Sequence, residues 1–210
     1  MLVTNSLEIE LTTKCTLGCP ACPRNNPEEL AKNWDVGHLD KTIAKKFADS
    51  PTDREYLFVG CYGDPIYHPD FIEITKHYID NKKKLHIHTN GSFKKQKWWD
   101  ELASLNWSRK QVFTFSVDGL EDTNHIYRIR ADWESIMRGM KTMGSLPFLR
   151  RPRLEWKMLV FPYNEHQVPE ARKLAKELGI DIFSPAKSER DIKDYKVDNN
   201  EIYRWANDKA

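Results

Sequence analysis

The chain has 210 residues, enough for one domain with a hydrophobic core, and 40% of them are hydrophobic while 30% are charged. The formal net charge of +2 argues against generic binding to nucleic acid. No apolar run approaches membrane-spanning length, and the N-terminus lacks a basic segment followed by an apolar stretch, so we expect neither membrane insertion nor secretion. Four cysteines without an export signal indicate a reducing compartment, the cytoplasm.

Strand-like and helix-like segments alternate along the chain. Runs rich in β-branched and aromatic residues predict six strands, at 7–11, 56–61, 84–88, 111–117, 153–161 and 181–184. The segments between and after them predict six helices, at 41–49, 69–81, 94–105, 132–143, 167–178 and 199–207. Pro69 suits a first helical turn, Asp132 is a candidate N-cap, and Gly179 occupies the position after a helix where glycine is expected.

Six βα units in succession imply an α/β fold with a parallel sheet and the helices outside it. A complete eight-unit barrel needs about 250 residues. We therefore predict a partial (β/α)6 TIM barrel, with parallel strands and open on one side. The barrel is expected to span residues 1–187, and residues 188–210 are expected to form a charged C-terminal helix or tail.

Three cysteines, Cys15, Cys19 and Cys22, lie in one short run with the spacing C-x3-C-x2-C. Three thiolates can hold a [4Fe–4S] cluster and leave the fourth iron without a protein ligand, able to bind a small molecule. The same cysteines could instead hold a structural zinc together with a histidine. A disulfide framework is a third interpretation, although four cysteines are sparse for one. The spacing alone supports iron–sulfur and zinc about equally.

Polar or glycine-rich motifs follow the first four predicted strands. The cysteine run follows the first strand, and residues 60–65 (Gly-Cys-Tyr-Gly-Asp-Pro) end the second. Residues 89–91 (Thr-Asn-Gly) end the third, and residues 116–119 (Ser-Val-Asp-Gly) end the fourth. Chemistry in parallel α/β folds takes place at the carboxyl ends of the strands. The four motifs therefore predict one site at one rim of the barrel.

Together these residues resemble the radical S-adenosylmethionine (SAM) superfamily of the CxxxCxxC type, over about residues 5–185. The segment around the cysteines is most similar to SPASM-type and anaerobic sulfatase-maturing members, which modify peptides. The resemblance implies a [4Fe–4S] cluster on the three cysteines, with SAM on its open iron. It also implies reductive cleavage of SAM to methionine and a 5′-deoxyadenosyl radical that abstracts hydrogen from a peptide or small-molecule substrate. An external one-electron reductant such as flavodoxin or ferredoxin would be needed.

The resemblance also assigns SAM contacts to six residues: Tyr62, Gly63, Asp64, Asn90, Ser116 and Arg128. Residues 62–64 would hold the amino group, Asn90 the ribose hydroxyls, and Ser116 and Arg128 the carboxylate. Arg130 competes with Arg128 for that carboxylate. Ala21 stands where members of the family often have an aromatic residue near the adenine, so apolar contacts are expected from Val160 or Phe161 instead. Asn164 is a further candidate for SAM contact.

No cysteine follows Cys61 in the sequence, whereas SPASM-type members carry further cysteines for auxiliary clusters. One cluster is therefore expected here. Cys61 is interpreted as a buried free thiol, with a place facing the active site as the alternative. His86 and His88, which share one face of their strand, are interpreted as hydrogen-bonded core histidines, with a position inside the barrel near the substrate as the alternative. The residue that acts on the substrate is not assigned. The alternative function is a non-enzymatic metal-binding or electron-transfer module that uses Cys15, Cys19 and Cys22.

Overall fold

A computed structural model describes residues 5–25, 36–60 and 62–188. These residues form one six-stranded sheet in which every neighbouring pair is parallel and the strands follow chain order. The strands are β1 Ser6–Glu8, β2 Glu55–Phe58, β3 Lys84–Thr89, β4 Val112–Ser116, β5 Arg153–Val160 and β6 Ile182–Lys187. Strands β1 and β6 are the two edges, so the sheet is not closed. The predicted open (β/α)6 architecture is confirmed.

The helices lie between the strands, at α1 Lys41–Asp49, α2 Phe71–Asp80, α3 Gln96–Ala103, α4 Asn124–Tyr127, α5 Trp133–Gly144 and α6 Val168–Glu177. The short α4 was not predicted, because four residues are too few to show helical periodicity. No helix in the described ranges is both long enough and apolar enough to cross a membrane. The predicted helix at 199–207 and all of the predicted tail except Ser188 lie outside the described residues.

Local signals at the helix ends were mostly correct. Asp132 caps α5, since its Oδ1 accepts a hydrogen bond from the Ser135 backbone N–H at 3.1 Å. Gly179 has a φ of 71°, the left-handed conformation that follows many helices. Pro69 was placed wrongly, because α2 begins at Phe71 and Asp70 occupies the N-cap. Strand β6 continues through Pro185, which an edge strand tolerates because it pairs on one side only.

The hydrophobic core lies between the sheet and its helices. Alternate strand residues point toward the helices and are fully buried, among them Phe58, Ile87, Phe113, Phe115 and Trp156. The opposite, concave face is polar, with Thr114 donating to Glu155 Oε2 at 3.0 Å and Ser184 donating to Glu155 Oε1 at 2.7 Å. Because the helices cover only one face of the sheet, this polar face and the rim above it are left for a site.

Candidate active site at the carboxyl ends of the strands

A cavity of about 480 Å³ opens at the carboxyl ends of the strands, where the sequence predicted a site. Its walls come from the cysteine loop after β1 and from residues at the ends of β2, β3, β4 and β5. All nine predicted site residues line it: Cys15, Cys19, Cys22, Tyr62, Gly63, Asp64, Asn90, Ser116 and Arg128. The fold therefore brings together residues that are up to 113 positions apart in the sequence, from Cys15 to Arg128.

A second hydrophobic cluster holds the cysteine loop against the rim. It contains Leu17, Cys19 and Ala21 of the loop, together with Ile126 and the aromatic residues Tyr127, Phe161 and Tyr163. The Gly18 backbone N–H donates to the Ile129 carbonyl at 3.0 Å and so fixes the loop to the segment after α4. This packing holds the loop against the rim and buries Cys19 and Ala21.

The thiols of this loop lie in a low-polarity environment. Burial raises the pKa of Cys15 to about 12, and the nearby Asp64 carboxylate acts in the same direction. Burial also raises the pKa of Cys19. Without a metal, both thiols are therefore protonated at neutral pH. A bound metal centre reverses this preference, because its positive charge stabilises the coordinating thiolates.

The three cysteines suit a cluster whose thiolates bind different irons. Within residues 5–25, 36–60 and 62–188, no group of three His, Cys, Asp or Glu side chains is close enough to hold a single metal ion. In a cubane, three cysteines bind three separate irons, so their sulfur atoms do not need to converge on one point. Cys15, Cys19 and Cys22 all face the same cavity, and the donor set and placement fit a [4Fe–4S] cluster. Cys61 lies outside the described residues.

The loop after β2 is held by a carboxylate that the sequence analysis did not single out. Glu10 Oε1 accepts a hydrogen bond from the Gly63 backbone N–H at 2.9 Å, and Glu10 Oε2 accepts one from the Tyr62 N–H at 3.4 Å. Gly63 also packs against the chain before the cysteines: a Cβ there would lie 1.9 Å from the Thr12 carbonyl oxygen. Glycine is required at position 63 because two backbone segments meet there.

Asp64 connects three loops of the rim. Its carboxylate accepts hydrogen bonds from Thr89 Oγ1 at 2.8 and 3.0 Å, the Asn90 N–H at 2.7 Å and the Ile66 N–H at 3.2 Å. Its own backbone N–H donates to the Lys14 carbonyl at 2.9 Å. Burial raises the pKa of Asp64, and the hydrogen bonds from Asn90, Thr89 and Ile66 partly offset that rise. Because these donors occupy its carboxylate, Asp64 supports the shape of the rim.

Asn90 faces the cysteine loop with both ends of its amide in use. Its Nδ2 donates to Cys15 Sγ at 3.5 Å, and its Oδ1 accepts a hydrogen bond from the Ser92 N–H at 2.9 Å. The sequence analysis assigned this residue to the ribose of SAM. The structure instead places its amide nitrogen on a predicted cluster ligand, and the ribose contact stays a prediction.

Arg128 and Asp118 form a buried ion pair at the wall of the cavity. Arg128 Nε donates to Asp118 Oδ2 at 2.5 Å, and the side chain of Asp118 has no exposed surface. Burial opposes the charge on Arg128, but Asp118 and Cys19 outweigh burial, so the pKa of Arg128 is raised. Asp118 Oδ1 also accepts the Leu159 N–H at 2.7 Å. Arg130, the competing candidate, does not line the cavity and lies beside Gly18.

Strand β5 reaches the cavity with a residue that the sequence did not single out. Leu159 lines the cavity, whereas Val160 and Phe161 do not, and Phe161 packs in the cluster behind the cysteine loop. Asn164 is fully buried and bridges the carbonyls of Asp118 and Leu159, at 2.9 and 3.0 Å.

The two histidines of β3 occupy different places. His86 Nε2 lies 3.0 Å from Glu55 Oε1 on the concave face of the sheet, outside the cavity. His88 lines the cavity together with Lys157, and its pKa is lowered by burial and by that lysine. His86 and His88 could be placed on the concave face from the sequence, because every second residue of a strand points to the same face of the sheet.

Two solved structures share this fold. SuiB of Streptococcus suis, solved bound to S-adenosylmethionine, matches with a TM-score of 0.68 and 19% identity, over 97% of this chain and 47% of SuiB. Native anSMEcpe with bound AdoMet matches with a TM-score of 0.61 and 16% identity, over 95% of this chain and 60% of anSMEcpe. At these identities the likeness establishes the fold.

Two curated proteins are similar in sequence. The chain is 24% identical over 182 residues to the tungsten-containing aldehyde ferredoxin oxidoreductase cofactor-modifying protein of Pyrococcus furiosus, covering 83% of this chain and 49% of that protein. It is 25% identical over 178 residues to the AdoMet-dependent heme synthase of Methanosarcina barkeri, covering 81% of this chain and 46% of that protein. The chain thus spans about half the length of these relatives.

The match to a protein family covers the whole of the site described above. The family model of the Radical SAM superfamily matches residues 9–175. This range contains the cysteine loop, Glu10, the loops after β2 and β3, the Asp118–Arg128 pair and Leu159. The chain belongs to the radical SAM superfamily.

Proposed function

We propose that this protein is a radical SAM enzyme, in which a [4Fe–4S] cluster on Cys15, Cys19 and Cys22 reductively cleaves SAM to methionine and a 5′-deoxyadenosyl radical that abstracts hydrogen from a substrate. The observation that carries the proposal is the single cavity lined by the three cysteines and all six predicted SAM contacts. An electron carrier has no use for such a cavity, which disfavours the alternative of an electron-transfer module.

Different residues of the cavity are proposed to bind different groups of SAM. Arg128 uses its Nε on Asp118, which leaves its two Nη atoms for the carboxylate of SAM, and Ser116 offers a hydroxyl donor from the wall of the same cavity. The N–H groups of Tyr62 and Gly63 donate to Glu10, which fixes the backbone of the loop proposed to hold the amino group of SAM. Leu159 supplies apolar surface for the adenine.

The substrate is a peptide or a small molecule. A peptide is supported by the sequence around the cysteines and by SuiB, a protein of the same fold solved with its precursor peptide SuiA. A small molecule is supported by the names of the two curated relatives, a cofactor-modifying protein and a heme synthase. We further propose flavodoxin or ferredoxin as the reductant and the cytoplasm as the location, because the cluster must be reduced before SAM is cleaved.

Anaerobic turnover tests the proposal. Purified protein reconstituted with iron and sulfide, then given SAM and dithionite, should release 5′-deoxyadenosine and methionine in equal amounts. Cys19→Ala should lose both the cluster absorbance and the nucleoside product, whereas the matched variant Cys61→Ser should keep both. A fully loaded and reduced cluster that yields no nucleoside would contradict the enzyme and favour the electron-transfer module.

A further inference from the structure

The side chain of Asn90 is locked in place between the rim and the cysteine loop. The residue is 5% exposed. Its backbone N–H donates to Asp64 Oδ2 at 2.7 Å, its Oδ1 accepts the Ser92 N–H at 2.9 Å, and its Nδ2 points at Cys15 Sγ at 3.5 Å. Since Oδ1 accepts a backbone N–H, the orientation of the amide is fixed, and the nitrogen must be the atom that faces the sulfur.

Cys15 Sγ therefore receives two N–H donors, one from the Leu17 backbone at 3.4 Å and one from the Asn90 side chain at 3.5 Å. Both distances suit hydrogen bonds to sulfur. The Leu17 donor belongs to the cysteine loop itself. The Asn90 donor comes from the loop after β3, 75 positions away in sequence, so its presence depends on the fold.

Hydrogen bonds to the sulfur ligands raise the reduction potential of an iron–sulfur cluster, because they stabilise the extra negative charge of its reduced state. We propose that Asn90 tunes the reduction potential of the cluster through its N–H···S hydrogen bond to Cys15. This inference rests on the proposed function, since it requires the cluster. It gives Asn90 a role at the cluster ligand that is separate from its predicted contact with the SAM ribose.

Asp64 is the positioning residue for this hydrogen bond. It is 4% exposed, and it holds both partners: the Asn90 N–H donates to its carboxylate, while its own N–H donates to the carbonyl of Lys14, next to Cys15. Thr89 Oγ1 adds a further donor to the same carboxylate. Asp64 thus ties the Asn90 loop to the segment before Cys15, through its carboxylate on one side and its backbone N–H on the other.

The test is a redox titration of the reconstituted full chain, followed by electron paramagnetic resonance of the reduced cluster. Asn90→Leu removes the donor while keeping the same branched shape and the same number of side-chain heavy atoms. We expect the reduced-to-oxidised ratio at a fixed potential to fall about tenfold, the size of one hydrogen bond to a charged group, which is about 59 mV for a one-electron couple. Asn90→Asp, which also adds a negative charge beside the sulfur, should shift the midpoint further in the same direction.

Ser92→Ala is the matched control. Ser92 Oγ accepts the Asp132 N–H at 2.6 Å, so this variant loses a hydrogen bond of the same loop but none to a cysteine. It should keep the native midpoint. Equal midpoints in native protein, Asn90→Leu and Asn90→Asp, each with a full cluster, would overturn the inference and leave the proposed function intact. A native chain that loads no cluster would overturn both.

A measurement on the native chain covers the case in which the variants do not load a cluster. Protein labelled with ¹⁵N only on asparagine side-chain amides should show a ¹⁵N hyperfine coupling in pulsed resonance spectra of the reduced cluster. The coupling arises across the hydrogen bond to Cys15 and requires no substitution. A loaded, reduced and labelled native cluster without this coupling would overturn the inference.

Discussion

The buried ion pair between Arg128 and Asp118 stabilises the wall of the cavity and also positions the guanidinium group that is proposed to bind the carboxylate of SAM. Arg128→Met removes the cation, and the carboxylate of Asp118, which has no exposed surface, then keeps just the Leu159 N–H among the residues that the structure describes. Removing one partner of a buried pair costs 3–5 kcal/mol in general, and the 18% exposure of Arg128 and the remaining hydrogen bond favour the lower end, about 3 kcal/mol. For a protein of this size, that is a fall in Tm of about 6–12 °C.

Thermal unfolding followed by circular dichroism under anaerobic conditions measures this loss. Asp118→Asn should cost less than Arg128→Met, because the partly exposed guanidinium can still reach water whereas an orphaned Asp118 cannot. The double variant should be more stable than the sum of the two single losses implies, since it leaves no unpaired charge in the wall. A fall of less than about 2 °C for Arg128→Met, or strictly additive losses, would refute the reasoning.

Two further substitutions test the rim. Gly63→Ala would place a Cβ 1.9 Å from the Thr12 carbonyl oxygen, so SAM affinity measured by calorimetry should fall at least about tenfold, while Gly37→Ala, whose Cβ would meet no atom within 4 Å, should bind normally. Burial and Lys157 lower the pKa of His88 below its ordinary 6.5, so its contribution to stability is present above that value and is lost as pH falls through the folded-state pKa. His88→Asn should flatten the pH dependence of the unfolding midpoint below about pH 6.5, and an unchanged profile would contradict this assignment.

The sequence could predict that the site residues lie at one rim, because the carboxyl ends of parallel strands lie at the same edge of a sheet. That rule needs only the order of strands and the motifs that follow them. It correctly brought Cys15, Gly63, Asn90, Ser116 and Arg128 to one cavity. Strand ends were less predictable: β1 stops at Glu8 rather than residue 11, although the apolar pattern continues through Ile9 and Leu11.

Hydrogen-bond partners could not be predicted, because they depend on side-chain directions across loops that are distant in sequence. Glu10 was passed over as an ordinary strand residue, yet it holds the backbone of the loop after β2. Asp64 and Asn90 were assigned to SAM, and the structure directs Asp64 to its neighbouring loops and Asn90 to Cys15. The sequence predicted that Asp64 and Asn90 lie at the rim, but it did not predict which atoms their side chains hydrogen-bond.

Whether SAM binds to the open iron can be read from the electron paramagnetic resonance spectrum of the reduced cluster. Spectra are recorded before and after addition of SAM to the reconstituted native chain. We expect SAM to change the g-values of the reduced cluster, because its amino nitrogen and carboxylate oxygen would add ligands to one iron. A reduced [4Fe–4S] spectrum that saturating SAM leaves unchanged would contradict it.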